Sequence, residues 1–283
     1  MKGPIRSSLS ALWRKWPLHV VMYLVYTFFA ALLLPVFQHF FSQSQGHSAE
    51  LESLWYTFDF MILADFLRAN WADFSAFLLF FIPLAFLGIL YKVFFIGGIM
   101  DQFHNRDVGF RLKTFFRVSR RLFFKNLLLT FVFSGLSILA VCLVFLLCTV
   151  ALVISPANTE PEYFLTLLVP LLLGLALAIY LYIAYLLAAA HLANRCFLPV
   201  SKVLNHAFTC LRRHTLPCLV LLLPRFFILL LAVVMVYAKA LLPKDLWAFT
   251  FLSFFVYQLL VFFQIVLKNW AYALAAELTK ESL

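Results

Sequence analysis

The sequence predicts an all-α polytopic membrane protein, with six transmembrane helices and three interfacial amphipathic helices on the cytoplasmic face. Three observations carry this prediction. Hydrophobic residues fill 65% of the 283 positions. Charged residues make up only 12%, roughly half the share of a soluble domain, which excludes bulk water as the main solvent. The long apolar stretches are separated by linkers alternately rich and poor in Lys and Arg. The net charge of +10 therefore points by its position to anionic lipid, not to nucleic acid.

A helix needs about 20 mostly apolar residues to cross the hydrocarbon. Segments 17–37, 75–99, 126–154, 165–193, 218–241 and 247–267 meet that length. The first follows Lys2, Arg6, Arg14 and Lys15 and is longer than a signal-peptide core, so it reads as an uncleaved span. The third and fourth exceed the minimum and are expected to tilt or project. Residues 1–16, the linkers 100–125 and 194–217, and the C-terminal tail hold 17 of the 22 Lys and Arg. Positive-inside counting then places both termini in the cytoplasm. In the outer loop 38–74, the apolar stretch Leu54–Leu67 is too short to span and is expected to be interfacial or re-entrant. Trp16, Trp55, Trp71, Trp247 and Trp270 fall near the expected interfaces.

The basic linkers are amphipathic. On a helix, residues 110–125 gather Leu112, Phe115, Phe116, Val118, Leu122 and Phe123 against Lys113, Arg117, Arg120, Arg121 and Lys125, with Ser119 as the exception on the apolar side. Residues 200–213 oppose Val203, Leu204, Ala207, Phe208 and Leu211 to Lys202, Arg212 and Arg213. The N-terminus sets Ile5, Leu9, Leu12, Trp13 and Trp16 against Arg6, Ser10, Arg14 and Lys15. Such helices lie at the headgroup level with their cations toward anionic lipid. Leu112, Phe116, Arg120 and Arg121 match Leu204, Phe208, Arg212 and Arg213 at an offset of 92 residues. The whole chain reads as one integral membrane domain of three units, 1–99, 105–193 and 198–267, each an interfacial helix before a hairpin. Chance likeness between basic amphipathic helices is the alternative.

Gly97-Gly98 closing the second span, the basic helix Phe110 to Lys125, the Asn194-Arg195 exit and the helix ending Arg212-Arg213-His214 complete this layout. In it the chain resembles the uncharacterised six-pass inner-membrane protein families of bacteria. That resemblance implies a bacterial inner-membrane location and no established activity, and it carries no catalytic residue over.

Ionisable groups at membrane depth are the candidates for function. Arg225 follows Pro224 about two turns into the fifth span, where a proline frees a carbonyl and kinks the helix. The alternative is that Arg225 snorkels to the surface. Lys92 has the same ambiguity, and His191 lies one turn before Arg195. Arg225, Lys92 and His191 are the candidate ligand contacts. Arg117, Arg120, Arg121, Arg212 and Arg213 are the candidate anionic-lipid contacts. Gly174, Ala178, Ala184 and Ala188 allow close helix approach, inside the bundle or in a homo-oligomer. Gly97-Gly98 is expected to let the chain bend.

What is missing also discriminates. No Asp or Glu falls inside the six spans, which disfavours a carboxylate-based proton or cation carrier. Asp59 and Asp65 lie in the outer loop, where Asp65 and Arg68 read as a surface pair. The five cysteines lack metal-ligand or disulfide spacing, and no nucleotide or hydrolase fingerprint occurs. The expectation is a protein without enzymatic activity, cofactor or metal. It would bind or pass an anionic or amphipathic small molecule or lipid. The alternative is a structural or assembly partner of another membrane protein.

Overall fold

The structure is a computed structural model describing residues 4–43, 68, 71–105, 109–154, 159–213, 215–241 and 247–281. Asp59, Asp65, Lys244, Asp245 and His214 lie outside the described residues, as does Leu54–Leu67. So do the side chains of Lys239 and Trp247. Every regular element among the described residues is helical. The helices are α1 (Pro4–Arg14), α2 (Trp16–Gln43), α3 (Trp71–His104), α4 (Leu112–Ile154), α5 (Glu160–Asn194), α6 (Val200–Arg213), α7 (Thr215–Leu219), α8 (Leu223–Leu241) and α9 (Trp247–Glu281). Five of the described helices, α2, α3, α4, α5 and α9, are long and apolar enough to cross a membrane.

The fifth predicted stretch is built in pieces. Residues 218–241 run through the end of α7, a 3-10 turn at Val220–Leu222, and then α8. Pro224 explains the break, because it has no N–H and its ring clashes with the carbonyl four residues back. It sits instead in the first turn of α8, where proline is tolerated. Arg225 consequently lies in that first turn, and not two turns into a continuous span.

A second difference concerns the basic segment 110–125. It forms no separate helix, since α4 runs unbroken from Leu112 to Ile154. At 1.5 Å per residue that is about 64 Å, twice a hydrocarbon core, so the basic turns extend the third span coaxially. The matching segment α6 is a free-standing helix of 14 residues. Chain connectivity decides the contrast. Arg195–Pro199 turns the chain before α6, whereas neither Gly nor Pro interrupts the stretch from Leu112 into the third span.

The chain forms two compact units. One comprises Val21–Lys92, and the other joins Met1–Val20 to Val93–Leu283. In the first, Tyr91 donates to Met22 Sδ at 3.6 Å and packs against Tyr26 and Phe29. Phe74, Phe77 and Phe81 stack in a column on α3.

The core of the second unit gathers at the end where the basic segments lie. Its centre is the last third of α9. Residues Asn269 to Leu278 are buried around the whole helix, with Leu274, Ala275 and Ala276 at 0% exposure. Four alanines in this stretch allow neighbours to approach closely, which substitutes for the hydrophobic driving force that lipid does not supply. Against it pack α1 and α5, the latter bringing Ala184, Leu187, Ala188 and Ala190. Toward the opposite end, α4 and α5 expose Phe145, Val153, Phe164 and Leu172, an apolar surface suited to lipid.

Gly97 and Gly98 do not bend the chain. α3 continues as a helix through both, and neither has a positive φ. They are packing positions against α4. A Cβ on Gly98 would clash with Ser119 Oγ and fall 2.8 Å from the Phe115 ring. One on Gly97 would meet Asn126 Nδ2 at 2.7 Å and Leu122 Cβ at 3.0 Å. This contact also explains Ser119 on the apolar face: it is buried because only a glycine lies opposite. Leu112 stays exposed, and Phe116, 42% exposed, packs at the edge of the contact on Phe94 and Phe95.

Gly98→Ala should lower the thermal midpoint in detergent by an amount on the order of 1–3 kcal/mol of overpacking. Ser119→Ala, which removes a buried oxygen without a hydrogen-bond partner among the described residues, should be near neutral alone and should recover part of the loss. An unchanged midpoint in Gly98→Ala would reject this close approach.

Candidate functional site

Helix ends at the basic end of the second unit leave carbonyls without intrahelical partners. Three lysines answer them. At the end of α3, Lys280 Nζ donates to His104 O at 2.8 Å and Lys15 Nζ to Asn105 O at 3.1 Å. After α5, Lys125 Nζ donates to Cys196 O and Leu198 O. Cations also suit the negative end of a helix dipole. Lys15, on the polar face of the predicted N-terminal helix, is only 1% exposed. Burial lowers its pKa from the ordinary lysine value, opposed by the nearby carboxylate of Asp101. Arg121 also acts on Asp101, which accepts from Asn105 Nδ2 at 3.2 Å.

α1 is fixed to α9 by polar bonds as well as packing. Trp270 Nε1 donates to Ser8 Oγ at 3.1 Å, and Ser7 Oγ to Glu277 Oε2 at 3.4 Å. Beside them, His19 bonds through both ring nitrogens, Nε2 to Leu12 O at 3.1 Å and Nδ1 to Asn269 Nδ2 at 2.8 Å. Leu12 O can only accept and Asn269 Nδ2 can only donate. The pair therefore selects the neutral tautomer protonated on Nε2.

The candidate ligand contacts occupy separate places. His191 is buried, its ring 6.1 Å from that of His206, and its Nε2 has no hydrogen-bond partner among the described residues. Arg225 is exposed at the start of α8. Its Nε donates to Tyr182 Oη at 3.0 Å while the guanidinium carbon lies 4.7 Å from the ring centroid. Tyr182 and His191 are nine residues apart on α5, about 13 Å along the axis, so Arg225 and His191 do not share one site. Lys92 is exposed at the close of the first unit. Arg117, Arg120 and Arg121 on α4, and Arg212 and Arg213 on α6, are all exposed. Of the small-residue stripe, Ala184 and Ala188 are buried, Gly174 packs on Val144, and Ala178 is exposed.

No protein-family model, curated protein or solved structure matches the chain. Geometry alone therefore carries the functional reading. A groove of about 500 Å³ lies between α1, the first turn of α2, α8 and α9. Trp13 and Trp16 stack at 6.0 Å on one wall, Trp16 meets Phe262 at 5.1 Å, and Phe227 meets Trp270 at 6.3 Å. Trp13 is 72% exposed, so the groove opens sideways.

At the same end of α9, Lys268 lies within electrostatic reach of Arg225. Sequence reasoning missed Lys268, which stands one residue beyond the sixth predicted span and reads there as a tail cation. It also missed Tyr182, whose hydroxyl looks ordinary until α8 brings Arg225 to it.

Among the described residues, no cluster of His, Cys, Asp and Glu has the makings of a metal site.

Lys125→Met removes the donor of two carbonyls in the turn after α5. Hydrogen bonds to a charged group contribute about 1.5–3 kcal/mol each, so losing both should open the turn at least about a hundredfold more often. The readout is maleimide labelling of Cys196 followed by peptide mass spectrometry. An unchanged rate would mean that Lys125 does not hold the turn.

Proposed function

We propose that this is a six-span integral protein of a bacterial inner membrane with both termini in the cytoplasm. In this reading α1, α6 and the first turns of α4 are its three basic amphipathic segments. The protein binds or passes an anionic or amphipathic small molecule or lipid, and it catalyses no reaction.

One observation carries the reading. Arg225 is held at the entrance of an apolar helix by Tyr182, through both a hydrogen bond and the face of the ring. A guanidinium fixed through Nε keeps the terminal nitrogens of its fork as donors for an oxyanion. Arg117, Arg120, Arg121, Arg212 and Arg213, exposed on their helices, supply a wider cationic surface for anionic phospholipid headgroups. His191, nine residues from Tyr182 on α5, lies outside the Arg225 site.

A second reading, an assembly partner of another membrane protein or of a second copy, is favoured by Phe197. It stands 93% exposed on the turn between α5 and α6, an apolar side chain at a basic surface.

Native mass spectrometry of protein released gently from its own membrane separates the two. A discrete bound non-protein mass is expected, lost in Arg225→Ala and kept in the control Arg117→Gln. A second polypeptide at fixed stoichiometry, without a bound small molecule, would replace this proposal with the assembly role.

A further inference from the structure

Arg225 and Tyr182 join α8 to α5 at one point, and apolar side chains stand exposed on both helices beyond it. Leu171, Leu175 and Ala178 lie eleven, seven and four residues before Tyr182, within about 40° of it around α5. Tyr182 faces α8, so these residues are turned to the same side. On α8, Leu229 stands one turn after Arg225 and Val233 two turns after it. Phe227 points to the other side of α8, where it meets Trp270. Exposure is 53% for Leu171, 57% for Leu175, 65% for Leu229 and 46% for Val233. Among the described residues, then, the two faces do not close on each other.

Both stretches lead from the bridge in one direction. α5 runs into the packed end, while α8 starts beside Trp270 and runs away from it. They make two apolar walls, about 16 Å long on α5 and about 12 Å on α8, with a guanidinium at their foot. Tyr182 takes Nε and lays its ring against the guanidinium, so the terminal nitrogens of the fork remain donors. Neither predicted span that carries the walls, 165–193 or 218–241, contains an Asp or Glu to compete for them. A dissolved anion would use the fork and leave the walls bare. A neutral chain would use the walls and leave the fork unpaired. A molecule with an oxyanion at one end of an alkyl chain uses both.

We infer that these two faces seat an anionic amphiphile of the bilayer. Its oxyanion headgroup lies on the fork of Arg225, and its chain lies between Leu171 and Leu175 on α5 and Leu229 and Val233 on α8. The assignment rests on the ligand-handling reading of Arg225 and names the ligand class.

A photoreactive probe tests the seat. Dodecyl phosphate carrying a diazirine on its chain is added to the full chain in phosphatidylcholine vesicles and irradiated, and labelled peptides are located by mass spectrometry. Labelling should concentrate on residues 171–182 and 225–233, above its level on α4 at the exposed Phe145 and Val153. Dodecanol with the same diazirine should label α4, α5 and α8 without that concentration. R225Q should lower the concentrated labelling about tenfold, the loss of hydrogen bonds to a charged group. Leu229→Trp, which fills one wall and keeps Arg225, should lower it as well, and K113Q should leave it unchanged. Unlabelled dodecyl phosphate should displace the probe, and inorganic phosphate should not. Circular dichroism verifies that each variant remains helical.

Equal labelling by the charged and uncharged probes, or concentrated labelling that survives R225Q, would overturn the assignment. Displacement by inorganic phosphate would make Arg225 a site for dissolved anions and overturn it too. A dimer mass with neither face labelled would give the faces to a second copy, with the same result. Native mass spectrometry keeps the two proposals apart. A bound mass lost in Arg225→Ala, without concentrated labelling, would retain ligand handling and reject this seat. The absence of both would reject both.

Discussion

Burial of the last third of α9 on all its sides is the constraint from which the rest of the second unit follows. Where lipid is the surrounding solvent, a helix enclosed by others cannot be held by the hydrophobic effect alone, because lipid is as apolar as the neighbours it would replace. Close backbone approach and interhelical hydrogen bonds remain. Ala271, Ala273, Ala275 and Ala276 provide the first, and Asn269, Trp270 and Glu277 provide the second toward His19, Ser8 and Ser7. The same requirement places Gly97 and Gly98 opposite Ser119 and Asn126, where any Cβ would hold α3 and α4 apart.

Packing helix ends into this core creates a second requirement. Terminal carbonyls lack intrahelical partners. Lys15 and Lys280 converge on the end of α3, and Lys125 reaches the turn after α5. The basic character of the linkers therefore has two physical origins. Some cations cap helices inside the fold, while Arg117, Arg120, Arg121, Arg212 and Arg213 remain on its surface. A count of charge treats both kinds alike.

The groove follows from the division of faces on α1. Ser8, Ala11, Leu12 and Lys15 go into the core, whereas Leu9, Trp13 and Trp16 are left exposed beside α9. An amphipathic helix that spends one face on a neighbour and keeps an adjacent apolar face open makes a concave wall. The break before Pro224 completes it by setting Phe227 and Arg225 in the opening turns of α8. Arg225 thus obtains its tyrosine partner.

The sequence by itself determined the helical class, the long apolar helices and which segments carry the charge. Those properties depend on composition and on 3.6-residue periodicity, which are local. It set Arg225 two turns into a continuous span, whereas the structure puts it in the first turn of α8. Only the tertiary structure decided that Ser119 faces a glycine, that Lys15 is buried, and that Lys268 stands across from Arg225. Residues 250 or more apart in the chain, His19 and Asn269 or Ser8 and Trp270, make the contacts that bound the groove. Such pairings depend on which helix lies against which. In lipid that choice rests on small-residue packing and a few hydrogen bonds, neither of which leaves a periodic trace in one sequence.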